Sequence, residues 1–263
     1  MKFLLTISLL NIFLSVTNGQ AINKTNEEKK MLLIPSSFFK TFYVSKTDKP
    51  IHVDAFLLDE SAVTNGEYLI FVIANPSWSR SKVNKLFADN NYLRQWKSDS
   101  EIGSEKNIHL NSPVVNVSWF AARAYCKWKA KRLPTLAEWE IAANAPPKNI
   151  AYTSITDYIM GWYEKPAALV LPEIKTTYLN TYDLYDMNGL VWEWTFDFNS
   201  FISTGDSRNT TNDATNLFCA GASINVTNRE DYAAFLRYGF RGSLKGNYCI
   251  NSLGFRCAKD IKE

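Results

Sequence analysis

Asp186-Met187-Asn188-Gly189-Leu190-Val191-Trp192-Glu193-Trp194 and, near the end of the chain, Asn251-Ser252-Leu253-Gly254-Phe255-Arg256-Cys257 are the stretches whose reading decides the fold. The first sets two carboxylates, Asp186 and Glu193, on either side of a glycine at which the chain can turn. Calcium takes several oxygen ligands, carboxylates together with backbone carbonyls, and a loop folding back between these acids offers both. Spacing alone favours the simpler reading, a turn with solvated acids beside two core tryptophans. The second stretch ends on a cysteine, and between the two stretches residues 220–248 hold no cysteine at all.

Working outward, Met31-Leu32-Leu33-Ile34-Pro35 is a short apolar strand candidate, and Val53 to Asp59 partly alternates, as a half-buried strand does. Thr64-Asn65-Gly66-Glu67 fits a capping box, in which the threonine hydroxyl takes one free amide and the glutamate reaches back to another. Tyr68, Phe71 and Val72 give the helix that follows an apolar stripe. Ser118 is placed to cap a second helix, Trp119 to Lys131, with Phe120, Ala124 and Trp128 at helical spacing. Thr135-Leu136-Ala137-Glu138, just after Pro134, is another capping box and predicts a third helix through Ala143. Beyond Pro146 the periodicity fades. Short β-like pieces alternate with Gly, Asn, Asp and Ser, which predicts a few helices and much irregular structure, held by aromatic burial and disulfides. The 14% of aromatic residues, 8 of them tryptophan, is enough for a large core.

The start of the chain reads as an export signal over residues 1–19. Lys2 is a short basic segment, Phe3 to Val16 is mostly apolar, and Thr17-Asn18-Gly19 offers small or polar residues for cleavage before Gln20. The apolar run is shorter than the roughly 20 residues that span a bilayer. Residues 20–30 read as a flexible polar leader and 31–263 as one domain, with no Pro/Gly/Ser linker or solenoid repeat. The expectation is an exported protein, periplasmic or secreted, with no transmembrane segment after signal removal. A net charge of +3, spread along the chain, makes no nucleic-acid case. Four cysteines in an exported chain invite two disulfides, and three pairings are open. Sequons stand at Asn23, Asn116, Asn209 and Asn225; Asn116, just ahead of a helix, is not expected to be modified.

Several chemistries are missing. His52 and His109 are the only histidines and lie far apart, so no helix-borne zinc or iron motif exists. No G-x-S-x-G elbow and no Walker loop is present.

Taken in order, the motifs resemble those of the formylglycine-generating enzyme (sulfatase-modifying factor) family. Phe56-Leu57-Leu58-Asp59-Glu60-Ser61-Ala62-Val63-Thr64-Asn65 is similar to the family's F-x-I-D-x-x-E-V-T-N, with Ala62 in place of the glutamate. Pro113-Val114-Val115-Asn116-Val117-Ser118-Trp119 with Ala124-Tyr125-Cys126 matches P-V-x-x-V-S-W followed by A-Y-C. Lys131-Arg132-Leu133-Pro134-Thr135, Ala137-Glu138-Trp139-Glu140 and Ala142-Ala143 match K-R-L-P-T-x-A-E-W-E-x-A-A. The stretches Gly189 to Trp194 and Gly254 to Cys257 complete the series, which covers about Met31 to Asp260.

The resemblance implies an α+β, C-type-lectin-like fold of few helices, short strands and much irregular structure. It also implies one structural Ca2+ site, with Asp186 and Glu193 side chains and the Gly189 and Val191 carbonyls as ligands. Leu190 replaces a frequent asparagine without touching that set. Cys126 and Cys257 stand where relatives form a disulfide, which leaves Cys219 and Cys249 either to pair in an oxidising compartment or to serve as a thiol pair for metal or redox chemistry. The family's catalysis needs two thiolates in one loop, about five positions apart, that bind Cu(I), a soft ion suited to them. Those positions fall here on Asn228 and Ala233, so copper and copper-dependent formylglycine formation are not expected. Arg237, Arg241 and Lys245 belong to the segment that would line the old cleft. They could receive an acidic or phosphorylated ligand, against the plainer reading that the arginines bond loop carbonyls.

The functional expectation is therefore a non-catalytic binding or accessory protein, holding a peptide or an exported partner during its maturation. The alternatives are an oxidoreductase that modifies a client cysteine through a relocated Cys219/Cys249 pair, and a calcium-dependent lectin-like binding module.

Overall fold

The structure, a computed structural model, describes residues 28–40, 50–103, 109–148, 155–166, 168, 170–199 and 229–261. The segment read as a signal peptide, most of the leader, Cys219, Asn228 and three of the four sequons lie outside the described residues.

Strand β1 (Met31–Ile34) lies antiparallel to β4 (Phe56–Asp59), with Met31 opposite Asp59 and Ile34 opposite Phe56. The other edge of β4 pairs with β7 (Ala258–Asp260), so the two ends of the described chain meet in one sheet of order β1-β4-β7. Residues 28–30, read above as the tail of a leader, are tied to this body. Lys29 Nζ donates to the Ala62 carbonyl at 2.5 Å and pairs with Glu67 at 2.8 Å. The single strand expected over 53–59 is two. β3 (Ile51–Val53) turns away to pair with β2 (Ser37–Phe39), because Asp54 and Ala55 break the run before β4.

The three capped helices form as expected. Helix α1 (Asn65–Ala74) and helix α3 (Leu136–Ala143) both start on complete capping boxes, Thr64 with Glu67 and Thr135 with Glu138. Helix α2 (Trp119–Trp128) starts on the Ser118 hydroxyl, which accepts from the Ala121 amide. It ends three residues earlier than the spacing predicts. Ala130 adopts a φ of 54°, the Lys131 amide donates to the Cys126 carbonyl at 2.8 Å and the Ala130 amide to that of Lys127 at 3.0 Å. That is a Schellman stop, normally made with glycine.

Two further helices lie where irregular structure was expected: α4 (Ile155–Tyr163) and α5 (Arg229–Gly242). Among the described side chains of α5 the buried ones are Ala233, Arg237, Tyr238 and Arg241, a helical face whose charged members hide it from any hydrophobic-stripe reading. Strands β5 (Trp192–Glu193) and β6 (Leu253–Gly254) pair in parallel and join the two stretches quoted first. Gly254 is required there, since a Cβ would stand 2.7 Å from the Val114 carbonyl.

The main core is aromatic. Tyr68, Phe71, Tyr125, Trp96 and Phe255 are buried together, and Tyr68 stacks on Tyr125 at 5.7 Å. Cys126 in α2 is bonded to Cys257, the pairing implied by the resemblance. Closing a loop across 131 residues of sequence, it contributes roughly 3–5 kcal/mol through the unfolded state. A second core, with Ile34, Phe56, Leu58, Trp139, Tyr178 and Met187, lies between the three-stranded sheet and α3.

Candidate functional site

Helix α3 sets the site. Its capping box fixes where it begins, and this fixes the directions of two adjacent side chains, Trp139 and Glu140. Trp139 packs in the second core and donates from Nε1 to Glu193 at 2.7 Å. Glu140 faces the other way, toward α5. Its Oε1 accepts from Arg241 Nη1 at 2.6 Å and from Arg237 Nε at 3.1 Å, and its Oε2 accepts from Arg237 Nη2 at 2.8 Å. The Arg241 guanidinium also lies 4.5 Å above the Trp139 ring. All three charged groups are buried, at 1%, 4% and 2% exposure for Glu140, Arg237 and Arg241. Burial alone would push the Glu140 carboxyl up. The two guanidiniums outweigh it and bring the carboxyl down to about 2. Burial likewise opposes charge on Arg237, but Glu140 and the Tyr163 oxygen hold it well above its ordinary value.

Beside this cluster is a cavity of 350 Å³ between β2, α3, α4 and α5. Phe39, Ile155, Ile159 and Ala233 make its apolar walls. Lys40, Thr156, Asn144 and Arg237 are among its polar lining. Ala233, a position where the resemblance puts a thiolate, is therefore a wall of this cavity and carries no ligand atom.

The other expected residues are placed as follows. Arg237 and Arg241 are both buried and pair with Glu140 rather than with loop carbonyls, and Arg237 also lines the cavity. Lys245 lies past the end of α5, exposed, with Nζ 5.9 Å from the Tyr248 ring, and does not join them. Cys249 is a buried thiol with no disulfide partner among the described residues, and Cys219, the partner expected for it, lies outside them. Burial, with the Asp89 carboxylate adding to it, pushes that thiol well up and keeps it protonated at neutral pH. Asn116 is buried with its Nδ2 donating to the Cys249 carbonyl at 3.0 Å, which leaves no amide for a glycan on the folded chain. His52 is exposed, with Nδ1 3.4 Å from Asp54.

The residues expected to hold calcium are engaged elsewhere. Glu193 accepts two bonds on Oε1 and one on Oε2 from Arg256, at 2.9–3.0 Å, besides the Trp139 bond. Both members of the pair are fully buried. Asp186 accepts from the Thr177 amide at 2.9 Å, from the Thr177 hydroxyl at 2.7 Å and from the Lys175 amide. In this arrangement the set does not fit a calcium shell. An ion would have to displace a guanidinium from Glu193 and the loop amides from Asp186. Among the described residues no group of three or more His, Cys, Asp or Glu side chains gathers for a metal.

A family profile described as a sulfatase-modifying factor enzyme 1-like domain matches residues 17–261. The chain belongs to the sulfatase-modifying factor family. A formylglycine-generating enzyme of Streptomyces coelicolor is 27% identical over 83% of each chain. A bovine (Bos taurus) protein named inactive C-alpha-formylglycine-generating enzyme 2 is 39% identical over 38% of this chain, and the match spans 38% of the bovine protein's length. Among solved structures, PvdO from Pseudomonas aeruginosa superimposes with a TM-score of 0.50 at 17% identity, over 88% of this chain and 94% of that one. The formylglycine-generating-enzyme fold, C-type-lectin-like with few helices and short strands, is thus the fold of this family member. Sequence reasoning missed Glu140 as the centre of the site. Its signal was available: within Glu138-Trp139-Glu140 the first glutamate serves the cap, leaving the second without a local role.

Proposed function

We propose that this family member is a non-catalytic binding protein that serves an exported partner, and that it does not perform copper-dependent formylglycine formation. The carrying observation is the state of the cysteines. Ala233 stands where the resemblance puts a family thiol, residues 220–248 hold no cysteine, Cys126 and Cys257 are joined, and Cys249 is buried with its thiol pushed well up. None of these offers the exposed thiolate that Cu(I) and oxygen chemistry require. The word "inactive" in the name of the bovine relative agrees with this reading. The disulfide agrees with export to an oxidising compartment, periplasmic or extracellular. Among the described residues no helix is long and apolar enough to cross a membrane. An oxidoreductase working through Cys219 and Cys249 is disfavoured by the burial of Cys249.

The test is copper retention after loading with Cu(I), followed by oxygen uptake with cysteine-containing client peptides. The expected result is no retained copper and no uptake above that of a Cys249→Ser variant. One copper held per chain, with uptake that Cys249→Ser abolishes, would replace this reading with the oxidoreductase one.

A further inference from the structure

Among the described residues the cluster beside the cavity is not electrically balanced. One carboxylate, Glu140, faces two guanidiniums, Arg237 and Arg241, and all three are nine-tenths or more buried. Among the described residues lining the cavity, Glu140 is the only acid, and Lys40 adds another cation. Arg241 Nε is buried with no hydrogen-bond acceptor. A buried unpaired charge is costly and is normally met by a partner. The remaining walls, Phe39, Ile155, Ile159, Ala233 and Ala234, are apolar, and 350 Å³ is the size of a small-ligand pocket.

We infer that the cavity binds a carboxylate carried on a short apolar stem, with the carboxylate toward Arg237 and Lys40 and the stem against Ile155, Ile159 and Ala233. The inference rests on the non-catalytic binding reading and names the ligand class of that site. The same chemistry is offered by a free small acid and by the C-terminal residue of a partner peptide. Within the buried cluster Glu140 leaves a surplus of one positive charge, which a single carboxylate meets and a neutral ligand leaves unmet, while Lys40 is exposed. The apolar walls likewise select against small hydrophilic anions.

The full mature chain is titrated with hexanoate, 4-phenylbutyrate and an N-acetylated peptide ending in leucine, each beside its uncharged C-terminal amide. Binding is read by ligand-observed NMR and by the rise in Tm. At least one acid should bind in the millimolar range or tighter, with its amide about tenfold weaker, as loss of a charge-assisted bond implies. Binding by the free acids with the peptide silent assigns a small-molecule ligand, and the reverse assigns a peptide terminus. Ala233→Leu, which fills the cavity from a helical position, should reduce binding at least about tenfold while the disulfide and helix content persist. If that variant does not fold, Ala234→Leu tests the same wall from a less buried position. Amides that bind as well as acids, acids that bind the filled variant undiminished, or no acid binding at millimolar concentration would each overturn the inference. None of these outcomes bears on copper retention, so the binding and non-catalytic claims fail separately.

Discussion

Two buried carboxylates lie on either side of Trp139, and they are completed differently. Glu193 meets one guanidinium, Arg256, whose remaining N–H groups donate to the Asp59 carbonyl at 3.2 Å and the Tyr185 carbonyl at 2.9 Å. That pair is neutral and fully buried, and it ties β4, β5 and the segment before β7 together. Glu140 meets two guanidiniums from α5, one donor is left over, and a cavity lies alongside. The same residue types thus make a closed structural lock in one place and a positively biased pocket wall in the other. The charge count and the adjoining space tell them apart, since the burial is alike.

The sharpest way to break this comparison is to remove one arginine from each cluster. Arg256→Met leaves Glu193 fully buried with no cation and should cost about 3–5 kcal/mol in urea unfolding. Arg241→Met leaves Glu140 still paired with Arg237 and should cost only about 1–2 kcal/mol. Equal losses would mean the second cluster carries no surplus.

Acid sharpens the reading of Glu140. Its folded value of about 2 lies below the ordinary glutamate value of 4.5. A depressed acid contributes stability that is complete above the unfolded value and lost as pH falls through the folded one. The window therefore runs from about pH 4.5 down to about pH 2, and the loss amounts to roughly 3 kcal/mol. Urea unfolding at pH 5 and pH 3 should show the decline in the parent chain, and Glu140→Gln should flatten it. An unchanged slope in that variant would assign the acid sensitivity elsewhere.

A smaller effect is expected at the end of α2. Ala130→Gly relieves a non-glycine residue at φ 54° and should raise stability by about 0.5–1 kcal/mol in thermal melts. A loss would mean that the glycine's unfolded-state entropy outweighs the relief. The smallest is expected at Glu193 and Asp186. Calcium or a chelator should leave Tm unchanged, because Arg256 and the loop amides already occupy the carboxylates. A calcium-dependent rise would restore the ion to this turn and reopen the lectin-like reading.

Legibility followed locality. The three capped helices are legible because their start signals are local: the capping boxes Thr64/Glu67 and Thr135/Glu138 close within four residues, and Ser118 caps α2 one turn away, none needing a tertiary partner to be recognised. The short strand at Met31 was visible as an apolar run, whereas the break at Asp54 and Ala55 was not, since β3 leaves to pair with a strand twelve or more residues upstream. Helix α5 was hidden because the positions it buries include two arginines, which become tolerable inside only once Glu140 from another helix meets them. The calcium reading assigned Glu193 by its motif, but Arg256, 63 residues away in sequence, claims that carboxylate.

The order and wording of the motifs were enough by themselves to determine the family, the fold class, three helices and the absence of cysteine from residues 220–248, because each is a matter of residue identity or of contacts within a few positions. Tertiary structure alone decided that Glu140 is shared by Arg237 and Arg241, that Glu193 is locked by Arg256, and that a cavity opens beside the cluster carrying excess charge. A buried charge takes its meaning from the counter-charges and the space around it, and those are supplied by segments that the chain brings together only when it folds.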